Sequence, residues 1–171
     1  IITSWLLRQN KGLSIMDNSE KLSIEITLKP TVLKSKNKSP RIKIGVNGNT
    51  LAEVDCLPDN VGTMKLNYDV LVPEGDNVLE ISLVNKESDR DTVVTNGQIV
   101  DDLNCEILGI TMEGVELDNL LRKHGIYYPA QAVVIDDTET TVMPGHTFLS
   151  WNGTYRFRFS SPLYMWLLEN I

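Results

Sequence analysis

Apolar and polar side chains alternate with a period of two along much of the chain, which predicts half-buried strands. Leu22, Ile24, Ile26 and Leu28 alternate with Ser23, Glu25 and Thr27. Ile42, Ile44 and Val46 alternate with Lys43 and Gly45 before Asn47-Gly48, a pair suited to a tight turn, so residues 42–56 read as a hairpin. Leu66, Tyr68, Val70 and Val72 mark the next strand. Pro73-Glu74-Gly75-Asp76-Asn77 then turns the chain into residues 78–84, with Pro presetting φ and Gly accepting positive φ. In a further strand Leu103, Cys105 and Ile107 share one face, whereas Leu108, Ile110 and Met112 share the other. The slip beside Gly109 predicts a bulge.

Residues 118–125 predict one or two helical turns, capped by Asp118 and ended by Gly125. Tyr155, Phe157 and Phe159 alternate with Arg156 and Arg158 as a strand, and Ser161-Pro162 opens a terminal helix over 163–170 with Ser161 as its cap. Residues 85–102 read as a long polar connection, a length usual for functional or mobile loops. The fold class that follows is all-β: an antiparallel β-sandwich (jelly roll) with a short helix and a C-terminal extension. The sandwich is placed at 16–117, and a helix/strand extension packed on it at 118–171. Residues 1–15 read as a fragment end or upstream segment, because Met16-Asp17-Asn18-Ser19-Glu20 looks like a natural start.

At 171 residues the chain fits one domain with a core of useful size, and 42% hydrophobic with 23% charged residues is ordinary for a soluble globular protein. The net charge of -7 is uneven. Residues 1–60 hold nine basic and six acidic side chains, a net of +3, and residues 61–171 hold seven and seventeen, a net of -10. This balance disfavours nucleic acid as a partner. No apolar run approaches the roughly 18 residues of a membrane span. One basic stretch stands out: Lys29, Lys34, Lys36, Lys38, Arg41 and Lys43 contain no acid between them. It reads either as a solvated hairpin connection or as an anion-binding loop.

Catalysis finds little support in the pattern, and the chain reads as not an enzyme. The histidines, His124 and His146, lie in no nucleophile motif, Gly-rich phosphate motifs are absent, and no two carboxylates are marked as facing each other. Cys56 and Cys105 read as small buried hydrophobes. The acids of the long connection are more suggestive. Glu87, Asp89 and Asp91 cluster near its start, and Asp101, Asp102 and Asn104 at its end. Ca²⁺ takes six to eight oxygens, which two such clusters could supply if the loop closes on itself. The alternative is solvated carboxylates partly neutralised by Arg90. Aromatic rings in turns suit stacking on sugars. Trp151, followed by Asn152-Gly153, and the pair Tyr127-Tyr128 are the candidates, with Trp151 alternatively closing one end of the sandwich. Trp166 reads as a packing anchor.

Residues 79–117 resemble the second half of the calcium-dependent xylan-binding carbohydrate modules. The counterparts are the strand Ile81-Ser82-Leu83-Val84-Asn85, then Asp89-Arg90-Asp91, then Asp102-Leu103-Asn104-Cys105-Glu106-Ile107, then Met112-Glu113-Gly114. The hairpin 42–56 also resembles a strand pair of such modules. The resemblance implies a jelly roll that binds polysaccharide through a loop calcium, with Asp89, Asp91, Asp101 and Asp102 as metal ligands. The insertion 92–100 and the tail 118–171 depart from that pattern. The ending from Trp151 to Asn170 is similar to small structural proteins of tailed bacteriophages. The function expected is therefore a non-catalytic carbohydrate-binding module for a polysaccharide or glycan, with a bound calcium and with Trp151, Tyr127, Tyr128 and Asn85 as ligand contacts. The other reading is a bacteriophage virion or assembly protein, with other virion subunits as partners. Either reading favours an extracellular or virion-associated location.

Overall fold

The alternating segments form strands whose apolar sides face one another across two antiparallel sheets. The computed structural model describes residues 18–87 and 90–171. In chain order the elements are β1 (Ser19–Thr31), β2 (Arg41–Val46), β3 (Asn49–Asp55), β4 (Met64–Pro73), β5 (Gly75–Leu83), β6 (Thr92–Thr95), β7 (Gln98–Asp102), β8 (Asn104–Met112) and β9 (Val115–Glu116). They continue with α1 (Asp118–His124), β10 (Gly125–Pro129), β11 (Val133–Ile135), β12 (Thr138–Thr140), β13 (Met143–Pro144), β14 (Phe148–Leu149), β15 (Gly153–Ser161) and α2 (Leu163–Asn170). One sheet runs β14-β8-β1-β4, with β9 beside β8, and the other runs β13-β10-β15-β5-β2-β3. The hairpins β6-β7 and β11-β12 stand apart from both. No described helix is long and apolar enough to cross a membrane.

The core lies between the sheets, where Leu22, Ile24, Ile26 and Leu28 meet Ile42, Ile44, Leu79, Ile81 and Leu83. Each such side chain contributes about 2 kcal/mol by leaving water. Tyr155, Phe157 and Phe159 of β15 belong to the same core. The expected division at 117/118 is therefore corrected. Residues 118–171 supply β10, β13 and β15 to one sheet and β14 to the other, and β15 lies between β10 and β5. They complete the sandwich instead of packing on a finished one. The reading of residues 1–15 lies outside the described residues.

Local expectations hold in several places. Asn47 and Gly48 both take positive φ in the β2-β3 turn. Thr27 faces Gly109 while Leu28 faces Ile107, so Leu108 is the extra residue of the predicted bulge. Others change. Residues 85–102 are not a structureless loop, because Asn96 and Gly97 turn β6 back onto β7. Asp118 is the first residue of α1 and makes no capping bond. Gly125 ends α1 without positive φ. A Cβ there would collide with the Tyr155 hydroxyl and the Leu121 carbonyl. Ser161 does not cap α2. Glu20 of β1 does, its Oε2 accepting from Leu163 N at 2.9 Å and from Ser161 Oγ at 2.6 Å. Trp166 is buried as expected, edge-on to His124 and Phe157 with ring centroids 5.1 and 6.1 Å away.

Candidate functional site

The acidic connection and the basic stretch, distant in sequence, meet in space. Asp91 is completely buried. Its Oδ1 accepts from Lys36 Nζ at 3.0 Å, and its Oδ2 accepts from Lys38 Nζ at 2.5 Å and from Glu87 N at 2.9 Å. Burial pushes this carboxyl up, but the Glu87 amide and the two ammoniums outweigh it and hold it down at about 2. Asp101 accepts from the amides of Ser35 at 2.8 Å and Lys34 at 3.1 Å, in the short 3-10 turn between β1 and β2. Those amide bonds lower its pKa. Asp102 Oδ1 accepts from Lys86 Nζ and Thr92 Oγ1, both at 2.7 Å, and its Oδ2 from Asn104 Nδ2 at 3.1 Å. Burial raises the Asp102 carboxyl, and its bonds from Lys86, Thr92 and Asn104 more than reverse this.

These donor sets do not fit a loop calcium. A calcium ion needs carboxylate and carbonyl oxygens free of competing cations. Here both oxygens of Asp91 face lysine ammoniums, Asp102 faces another, and Asp101 serves two backbone amides. Among the described residues no three His, Cys, Asp or Glu side chains are grouped to hold a metal. The metal roles expected of Asp91, Asp101 and Asp102 are corrected on this ground: the protein's own amines and amides occupy the carboxylates. Asp89 lies outside the described residues.

The Lys86 side chain is 5% exposed and also donates to the Ser150 carbonyl at 2.6 Å. Its backbone is clamped by one side chain: Lys86 N donates to Asn152 Oδ1, and Asn152 Nδ2 donates to Lys86 O, each at 2.8 Å. Between Ser150 and Asn152 sits Trp151. Its backbone carbonyl accepts from the Tyr127 hydroxyl. One side of the half-buried Trp151 packs on the core. It also lines a cleft of about 460 Å³ whose walls include Lys86, Glu87, Asn152 and residues 130–134. Trp151 thus takes both parts open to it, end-piece of the sandwich and wall of a cleft.

The other ligand candidates divide. Tyr127 points inward from β10, is fully buried, and stacks on His146 with centroids 5.7 Å apart. Burial pushes its hydroxyl pKa up. It supports Trp151 and does not line the cleft. Tyr128, one residue on, faces the opposite side of the sheet by the strand's alternation, with the Arg156 guanidinium 5.1 Å from its ring centroid. Asn85 is structural: its Oδ1 accepts from Arg41 N at 2.8 Å and its Nδ2 donates to Ser39 O at 2.9 Å. The direct ligand contacts expected of Tyr127 and Asn85 give way to these framing roles. Sequence reading missed Lys86, Asn152 and the 130–134 wall. The Asp136-Asp137 turn between β11 and β12 was the available signal for that wall.

Burial pushes the Cys56 thiol up to about 12 and the Cys105 thiol higher still; both are free, and neither is a nucleophile at neutral pH.

No protein-family model matches the chain, and no curated protein matches it in sequence. Two solved structures are similar in shape. One is vCBM60 in complex with galactobiose, at 12% identity and a TM-score of 0.46, covering 79% of this chain and 96% of that one. The other is the selenomethionine form of vCBM60, described with a circular permutation linking two families of calcium-dependent carbohydrate binding modules. It has 14% identity and a TM-score of 0.46, and covers 80% of this chain and 89% of that one. At that TM-score neither likeness carries a ligand or a site over to this chain.

Proposed function

We propose that this chain is a non-catalytic carbohydrate-binding module that seats a glycan in the cleft beside Trp151. The observation that carries the reading is the fixed Trp151. Its backbone is held by Tyr127, its neighbour Asn152 is clamped to Lys86, and the residue lines an open cleft. A ring fixed in advance offers apolar area to a sugar at low entropic cost. Glu87 and Gln131 supply polar groups along the wall. A glycosidase would need two facing carboxylates, and among the described residues lining the cleft only Glu87 carries one. With Asp91, Asp101 and Asp102 holding lysine ammoniums or backbone amides, the reading assigns them no calcium. A glycan array followed by titration calorimetry on wild type and Trp151→Ala tests it. Binding that Trp151→Ala weakens at least tenfold supports the reading, and absence of binding to any glycan sinks it.

One observation favours a second reading, a virion or assembly protein. Although Trp166 is buried, α2 exposes Tyr164, Met165 and Leu168 along its outer side. That reading gains if the protein self-associates in light scattering and Leu168→Glu abolishes the association.

A further inference from the structure

We infer that the Trp151 cleft continues as a groove across the outer face of the six-stranded sheet, and that this groove holds an extended, uncharged polysaccharide strand. The inference rests on the carbohydrate reading and deepens it, from a single pocket to a track for a chain.

Strand register lays out the floor. Lys43, Ser82, Thr154 and Tyr128 lie side by side across β2, β5, β15 and β10. Two residues along each strand, Gly45, Glu80, Arg156 and Ile126 form a second row. These positions alternate with the core residues Ile44, Ile81, Tyr155 and Tyr127, so both rows face outward. Small residues keep the middle low. Ser82 and Thr154 are short and bonded to each other at 2.8 Å. A depression of about 320 Å³ bordered by Lys43, Ser82 and Thr154 shares Ala130 and Asn152 with the Trp151 cleft. The next depression, of about 270 Å³, shares Lys43, Ser82 and Thr154 with it and reaches Glu80, Arg156 and Asn49. The three form one path. From β15 to β3 it crosses three inter-strand spacings, about 14 Å.

The chemistry of the floor selects the occupant. Hydroxyls, a guanidinium, a carboxylate and an ammonium offer closely spaced donors and acceptors, as a chain of sugar hydroxyls requires. The carboxylate and the guanidinium are held before any ligand arrives: Glu80 accepts from Gly48 N at 3.0 Å and Arg156 Nε at 3.3 Å, and Arg156 also lies over Tyr128. Arg156 is paired with Glu80, and Glu53 is the register partner of Lys43 on the neighbouring strand, at the rim of the groove. Counting Glu53 at the rim, the groove carries no net charge, which matches a neutral glycan.

Size-graded neutral oligosaccharides of glucan, xylan, mannan and galactan, from disaccharide to octasaccharide, are titrated into wild type, Arg156→Ala and Thr154→Phe. The phenylalanine would fill the groove from an outward-facing, half-buried strand position. Melting temperatures verify that each variant is folded. The expected result is affinity that rises roughly tenfold or more with chain length, with the gain removed by either variant. Short-ligand binding should fall only with Trp151→Ala. If short and long ligands bind wild type equally, or if both variants keep the full gain, the groove is refuted while the cleft stands. If no oligosaccharide binds, cleft and groove fall together.

Discussion

Nζ of Lys38 lies 2.5 Å from Oδ2 of Asp91, a carboxylate with no exposed surface, and Lys36 approaches the other oxygen at 3.0 Å. A basic run and an acidic loop thus cancel each other, tying the β1-β2 connection to the chain leading into β6. Removing the cations strands a buried charge, which costs far more than removing the pair. Lys36→Met with Lys38→Met should destabilise by about 3 kcal/mol. Adding Asp91→Asn should recover much of the loss, because the uncompensated charge disappears. Urea unfolding of the double and triple variants checks this, and a triple variant no better than the double would disprove it.

Acid should reveal the same site. The Asp91 carboxyl sits at about 2 in the folded chain, below its ordinary 3.8. A depressed carboxylate contributes stability in full above its unfolded value, and that contribution is lost as pH falls from about 4 through about 2. Asp102, depressed by Lys86, Thr92 and Asn104 against the pull of burial, adds to the slope with the same sign. Stability measured between pH 5 and pH 2 should fall in wild type, and less steeply in Asp91→Asn. Parallel profiles would contradict the assignment.

Calcium should leave the fold indifferent. A cation that binds only the native state raises the melting temperature with concentration, but the carboxylates of Asp91, Asp101 and Asp102 already hold ammonium or amide donors. Thermal unfolding in excess calcium chloride and in chelator should coincide. A saturable calcium-dependent rise would overturn this assignment of the three carboxylates.

How far the sequence spoke depended on distance along the chain. Alternation and turn chemistry act over a few residues, so β1 to β5, the Asn47-Gly48 turn and the Gly109 bulge were legible. Asn96-Gly97 carries the same turn signal between Val94 and Ile99, but it lies in a polar, acid-rich connection whose composition is that of a loop. Lys38 and Asp91 are 53 positions apart, and Ser161 and Glu20 are 141 apart. Such pairings depend on which strands become neighbours, and no local pattern encodes that. The position of β15 inside its sheet was hidden for the same reason. Trp151 was legible as a candidate because a turn residue's neighbours are sequential, whereas the opposite wall of its cleft, residues 130–134, leads into another hairpin.

Tyr127 offers the sharpest separation of support from contact. Its ring is fully buried, and its hydroxyl donates to the carbonyl of Trp151. Tyr127→Phe keeps the packing and removes one buried hydrogen bond, a loss of about 1 kcal/mol in unfolding free energy. If the residue acts by fixing Trp151, glycan affinity should weaken modestly, well short of the loss in Trp151→Ala, because the stacking ring remains but is less well held. Tyr128→Ala should show the reverse balance. Its ring lies on the outer face beneath Arg156, so stability should change little and long-chain binding more. Paired denaturation and calorimetry on the three variants decide the matter. A Tyr127→Phe protein of unchanged stability that binds as poorly as Trp151→Ala would mean that the hydroxyl touches the sugar itself.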